Sequence, residues 1–88
     1  MDMRPIHATC VAVGERGILI LGDSGSGKSD LAIRLIDRGA RLVSDDYVRL
    51  QARSGRLFAT APATIAGRIE LRGIGILTLP HLLEVELA

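Results

Sequence analysis

Tryptophan is absent from this chain, and the aromatic complement is one tyrosine, Tyr47, and one phenylalanine, Phe58, so the interior has to be filled by Ile, Leu, Val and Ala. With neither an aromatic platform nor a basic block, nothing argues for a nucleic-acid partner. The single cysteine, Cys10, excludes a disulfide framework or a zinc cluster within one chain. It lies in an apolar alternating segment and reads as a buried, inert thiol. An excess of one charge is missing too: 11 Lys and Arg face 10 Asp and Glu. No apolar run reaches spanning length, and the N-terminal Met-Asp-Met-Arg-Pro lacks the apolar core of a signal peptide. The expected compartment is the cytoplasm, with no membrane partner. A chain of 88 residues takes only about 60–65% of its extended surface out of water. One thin-cored domain over residues 1–88 is expected, with homo-oligomer formation a reasonable expectation.

What the chain does have is Gly22-Asp23-Ser24-Gly25-Ser26-Gly27-Lys28-Ser29, an unsubstituted match to G-x-x-x-x-G-K-[ST]. The fixed positions match by chance in on the order of one chain of this length in a hundred at average residue frequencies. An apolar strand precedes the motif at residues 17–21, and helical spacing follows it over residues 28–38. Glycines let the backbone wrap a polyphosphate with its N–H groups turned inward, and the helix N-terminus adds about half a positive charge facing the same anion. Lys28 can reach the terminal phosphates, and the Ser29 hydroxyl can sit on Mg²⁺.

Around this loop, residues 6–13 read as a strand and residues 14–17 as a turn. The helix presents Leu31, Ala32, Leu35 and Ile36 as its buried face, with Gly39 as a natural C′ residue. Short strands are expected at residues 41–44 and 57–60, with an extended continuation over 47–51 and a turn at 53–56. Residues 68–79 read as mainly extended, bent near Gly73 and Gly75, and residues 81–88 as a short helix or a frayed end.

Transfer of a phosphoryl group needs a carboxylate that orients metal and another group that activates the acceptor. Asp45 and Asp46 end the strand that follows the loop's helix. In a β-α-β crossover that strand lies near the first, with its C-terminal end facing the same crevice. Adjacent strand residues point to opposite faces, so one can serve as general base and the other can hold loop or metal. Glu70, in Arg68-Ile69-Glu70-Leu71-Arg72, fits either a solvated ladder or a metal or substrate role, and the Gly-Ile-Gly that follows favours a functional role. His7 alone is ambiguous, and His81 reads as surface or cap. The guanine-specifying Asn-Lys-x-Asp of GTPases is absent.

Taken together, these residues resemble the catalytic domain of bacterial HPr kinase/phosphorylase. The resemblance rests on His7, residues 22–29, the run Arg38 through Asp46, and Ile69-Glu70-Leu71-Arg72-Gly73-Ile74-Gly75-Ile76. It implies an α/β fold: a small mixed sheet with one main helix after the phosphate loop, an HPr kinase/PEP carboxykinase-like core. It implies phosphorylation of a serine on HPr, the phosphocarrier of the sugar phosphotransferase system, from ATP or pyrophosphate, with phosphorolytic reversal by inorganic phosphate. Carried over, Lys28 holds the terminal phosphates, Ser29 and Glu70 serve Mg²⁺, and Asp45 is the proton acceptor with His7 close to it. Asp46 and Arg72 are additional candidates. Relative to the family, the chain is expected to be a short single-domain form incomplete at its C-terminal end. A nucleotide- or phosphate-binding regulatory fragment without turnover is the alternative.

Overall fold

The computed structural model describes residues 5–22, 27–63, 65–71 and 73–87. Strand β1 (Ile6–Val13) is the spine of the fold. Its alternate residues Ala8, Cys10 and Ala12 enter one core and Val11 enters a second, the two-sided burial expected of a covered strand. Along one edge β1 pairs antiparallel with β2 (Arg16–Leu21). Along the other it pairs antiparallel with β3 (Arg41–Ser44) and, further on, with β4 (Tyr47–Arg53). A register shift at Cys10 and Val11 interrupts that edge. Beyond the shift the frame is continuous. Cys10 stands opposite Ser44 and His7 opposite Tyr47, which sets Thr9 across from Asp45.

Strand β5 (Arg56–Thr60) returns from β4 through the expected turn, and β8 (Glu84–Leu87) lies antiparallel to β5 and parallel to β2. The ladder therefore runs β1-β2-β8-β5-β4 and meets β1 again, with β3 alongside. Helix α1 (Lys28–Asp37) packs on β1, β2 and β3. A separate hairpin, β6 (Arg68–Leu71) with β7 (Gly75–Thr78), lays Ile69 and Leu77 in the core beneath that helix. The described residues thus form a small mixed sheet with one helix.

One expectation is refined and two are corrected. Strand β3 lies near β2 as expected, with β1 between them. Both run antiparallel to β1 and hence parallel to each other, and their C-terminal ends meet the same half of β1, Leu21 opposite Ala8 and Ser44 opposite Cys10. Second, the C-terminal segment is strand, neither helix nor frayed end. Val85 and Leu87 turn into the core while Glu84 pairs with Arg53, and Glu86 with Arg16 and Arg56. Third, Leu31 is exposed, and Ile33 joins Ala32, Leu35 and Ile36 on the packed face. Gly39 does stand at C′: its N–H donates to Ile36 and that of Ala40 to Leu35, both at 3.0 Å, a complete Schellman cap. His81 remains exposed, its Nδ1–H donating to the Leu79 carbonyl at 3.0 Å.

Burial pushes the Cys10 thiol up from 9.0 to about 11, against a smaller downward pull from a backbone hydrogen bond with Ile18. A thiol raised in the folded state gives stability that is intact below its unfolded value and lost as pH rises through the folded one. Fold stability should therefore decline between about 9 and 11, and Cys10→Ala should remove that component of the decline. Strand β8 is seated against Gly17, where a Cβ would overlap the Val85 side chain and come within 3.0 Å of Leu87. Gly17→Val should cost about 1–3 kcal/mol, read from the urea midpoint, by overpacking this seam. An unchanged midpoint would mean that β8 does not dock here.

Candidate functional site

Between β3 and β4 the chain makes a γ-turn. The Tyr47 N–H donates to the Asp45 carbonyl at 2.9 Å, and Asp46 between them has φ 74°. Turns of this hand at a non-glycine centre are rare and strained. Ala8 N–H holds the turn from β1 by donating to the Asp46 carbonyl at 3.1 Å. Ser44 holds it from β3, its hydroxyl donating to the Tyr47 carbonyl. In an unbroken strand Asp46 would point away from Thr9 and His7, with Ala8. The left-handed backbone turns its carboxylate back, and His7 Nε2–H donates to Asp46 Oδ1 at 2.8 Å. The Tyr47 ring flanks His7, with centroids 5.3 Å apart. This pair is open to solvent, with His7 32% and Asp46 57% exposed.

Asp45 has the opposite environment. It is 6% exposed, and two hydroxyls, Thr9 Oγ1 and Ser29 Oγ, each donate to its Oδ1 at 2.9 Å. Thr9 reaches it because the two residues face each other across β1 and the β3–β4 edge. Ser29 reaches it from the first turn of α1. That helix starts at Gly27, φ 94°, without a side-chain cap, so its leading N–H groups are left for the preceding loop or a ligand. Lys28 is buried and its Nζ donates to the Gly22 carbonyl at 2.9 Å, across the mouth of the loop.

A hydrogen bond thus brings Ser29 and Asp45 together, and the Lys28 ammonium reaches the Gly22 carbonyl. His7 Nε2 is hydrogen-bonded to Asp46. Glu70 lies in β6 with its backbone opposite Ile76. Its side chain, like Asp23, Ser24, Gly25, Ser26 and Arg72, lies outside the described residues. Sequence reasoning missed Thr9 and Tyr47. The alternation His7, Thr9, Val11 marked one face of β1, but only the register with β3 and β4 shows what that face meets. Among the described residues no group of three or more His, Cys, Asp or Glu could hold a metal ion. The Ser29 hydroxyl and Asp45 carboxylate nevertheless form a small set of hard oxygen donors, which suits Mg²⁺, an ion that keeps much of its water.

A glycine loop between strand and helix, with one carboxylate buried on the helix's first serine and another turned outward to a histidine, defines a two-sided α/β site. The family model for the HPr serine kinase C-terminal domain matches residues 2–86, and the chain belongs to that family. It is 50% identical over 82 residues, 92% of its length, to the HPr kinase/phosphorylase of Lachnoclostridium phytofermentans. To that of Clostridium tetani it is 46% identical over 77 residues, 88% of its length. It spans about a quarter of these curated relatives, 26% and 25% respectively. Among solved structures, the Hpr(Ser) kinase/phosphatase from Coxiella burnetii superposes with a TM-score of 0.89 at 33% identity, over 96% of this chain and 61% of that one.

The γ-turn can be tested apart from any activity. Asp46→Gly should raise stability by about 1 kcal/mol, since glycine takes a positive φ without strain and the lost bond to His7 is solvent-exposed. Asp46→Val should lower it by more than that. Equal midpoints for the two variants in chemical denaturation would contradict a left-handed residue here.

Proposed function

We propose that this chain is the phosphoryl-transfer unit of an HPr serine kinase/phosphorylase. It would move a phosphoryl group from ATP or pyrophosphate to a serine hydroxyl of an HPr-type phosphocarrier and return it to inorganic phosphate. Residues 22–29 are read as a P-loop within an HPr kinase/PEP carboxykinase-like core, as the strand before and helix after them support. The cytoplasm is the matching compartment, and among the described residues no helix is long and apolar enough to cross a membrane.

The observation that carries this reading is the division of the two aspartates between a buried and an open partner. Asp45, closed in by Thr9 and Ser29, is suited to orient the loop's serine. Asp46, exposed and held by His7, is suited to meet the hydroxyl of a macromolecular acceptor. We therefore assign the proton to Asp46 and give Asp45 the orienting role, the reverse of what the resemblance implied. Bound Mg²⁺, held by Ser29 and Glu70 with Asp45 behind Ser29, would neutralise charge on the transferred group. Lys28 and the helix N-terminus would hold the phosphate oxygens in place. Asp46 takes the serine proton as the oxygen attacks phosphorus and the bond to the departing ADP or phosphate breaks. In the reverse direction the same carboxyl returns it, as microscopic reversibility requires.

The test is labelling of HPr-type proteins with radiolabelled ATP and Mg²⁺. Asp46→Asn should lower the rate by about 10²–10⁴-fold while pyrophosphate still binds. Lys28→Ala should abolish binding and labelling together. Full activity in Asp46→Asn would overturn the assignment. Saturable, Lys28-dependent pyrophosphate binding by the wild type without any transfer would instead identify the regulatory binder.

A further inference from the structure

We propose that Thr9 is a positioning residue for the cation side of the site: its hydroxyl fixes the Asp45 carboxylate so that Ser29 is presented in the orientation that binds Mg²⁺. The inference rests on the phosphate-binding reading above and goes beyond the residues so far assigned to it.

Thr9 is fully buried in the middle of β1, on the face that meets α1, between His7 and Val11. A strand needs only a β-branched side chain at such a position, and valine would fill the same volume without a polar atom. Burying a hydroxyl is unfavourable unless it is hydrogen-bonded. The bond that Thr9 makes is to Asp45 Oδ1 at 2.9 Å. Ser29 donates to that same oxygen at 2.9 Å. Two donors converging on one carboxylate oxygen from different elements fix both the tilt of the carboxylate and its distance from the helix. Ser29 thereby spends its only proton on Asp45. The lone pairs of its oxygen are then directed away from Asp45, and those are the electrons a hard cation requires.

Without the Thr9 hydroxyl, Oδ1 loses one of these two donors, and the tilt that they set on the carboxylate shifts. Ser29 would follow it or lose its acceptor. Either change weakens cation binding and leaves the loop's N–H groups and Lys28 untouched. The expected signature is therefore a split: Mg²⁺ dependence changes, and metal-free phosphate binding does not.

Calorimetric titration of the intact chain with pyrophosphate over a range of MgCl₂ concentrations reads that split. Thr9→Val should raise the Mg²⁺ concentration giving half-maximal enhancement by about 10-fold, the scale of one hydrogen bond to a charged group. Pyrophosphate affinity in EDTA should stay within about twofold of wild type, and Thr9→Ser, which keeps the hydroxyl donor, should restore the Mg²⁺ dependence. A buried role confined to packing predicts the reverse, with Thr9→Ser, which loses the methyl, impaired more than Thr9→Val. Wild-type Mg²⁺ dependence in Thr9→Val, or failure of Thr9→Ser to rescue, overturns the inference and leaves the phosphate reading standing. Absence of pyrophosphate binding by the wild type removes that reading, and the inference with it. Should Thr9→Val not fold, Thr9→Ala against Thr9→Ser carries the same comparison.

Discussion

One oxygen atom, Asp45 Oδ1, ties the central strand to the start of the helix. Thr9 donates to it from β1 and Ser29 from α1. A carboxylate this deeply buried is tolerated only when its oxygens are satisfied, so the site is stable as an assembled set and unfavourable in parts. It also governs the direction of the chain. With Asp45 drawn inward to the helix, the next residue has to reverse, and the γ-turn at Asp46 is how it does so. The strain at Asp46 and the burial of Asp45 are two aspects of one local arrangement.

That arrangement needs a rigid strand beneath it, and the closed ladder provides one. Strand β1 is paired along both edges, and the C-terminal strand β8 bridges β2 and β5 to complete the circuit. A chain of this size gains stability from leaving few unpaired edges, because its apolar core is thin. The glycine at position 17 lets β8 approach closely, and the Arg–Glu pairs along β8 remain at the surface where such pairs contribute little.

Much of this was legible in the sequence. The helix with its Gly39 cap and the strands at residues 6–13 and 41–44 follow from glycine placement and from periods of 3.6 and two. The pairing of β1 between β2 and β3 was not legible, since local pattern reports that a strand is covered and not by which neighbour. The last strand was misread because Glu84-Val85-Glu86-Leu87 is too short for alternation to stand out against a polar end. At the site, the motif and the crossover singled out Ser29 and Asp45 as candidates, and a hydrogen bond joins them. The contact of His7 with Asp46 was not legible: a regular strand would have sent Asp46 to the far face, and aspartate, although among the non-glycine residues that enter the left-handed region most readily, does so at few positions. Thr9 was invisible because threonine is ordinary in strands, and only the register with Asp45 gives its hydroxyl a purpose.

The central claim is that the two adjacent aspartates serve opposite sides of one phosphate site. A crystal structure of the chain with pyrophosphate and Mg²⁺ tests it most directly. The account predicts the cation on the Ser29 side with Asp45 still accepting from Thr9, and Asp46 facing the open end of the phosphate beside His7. A cation bound by Asp46, or Asp45 swung out from Thr9 and Ser29 toward solvent, would contradict it.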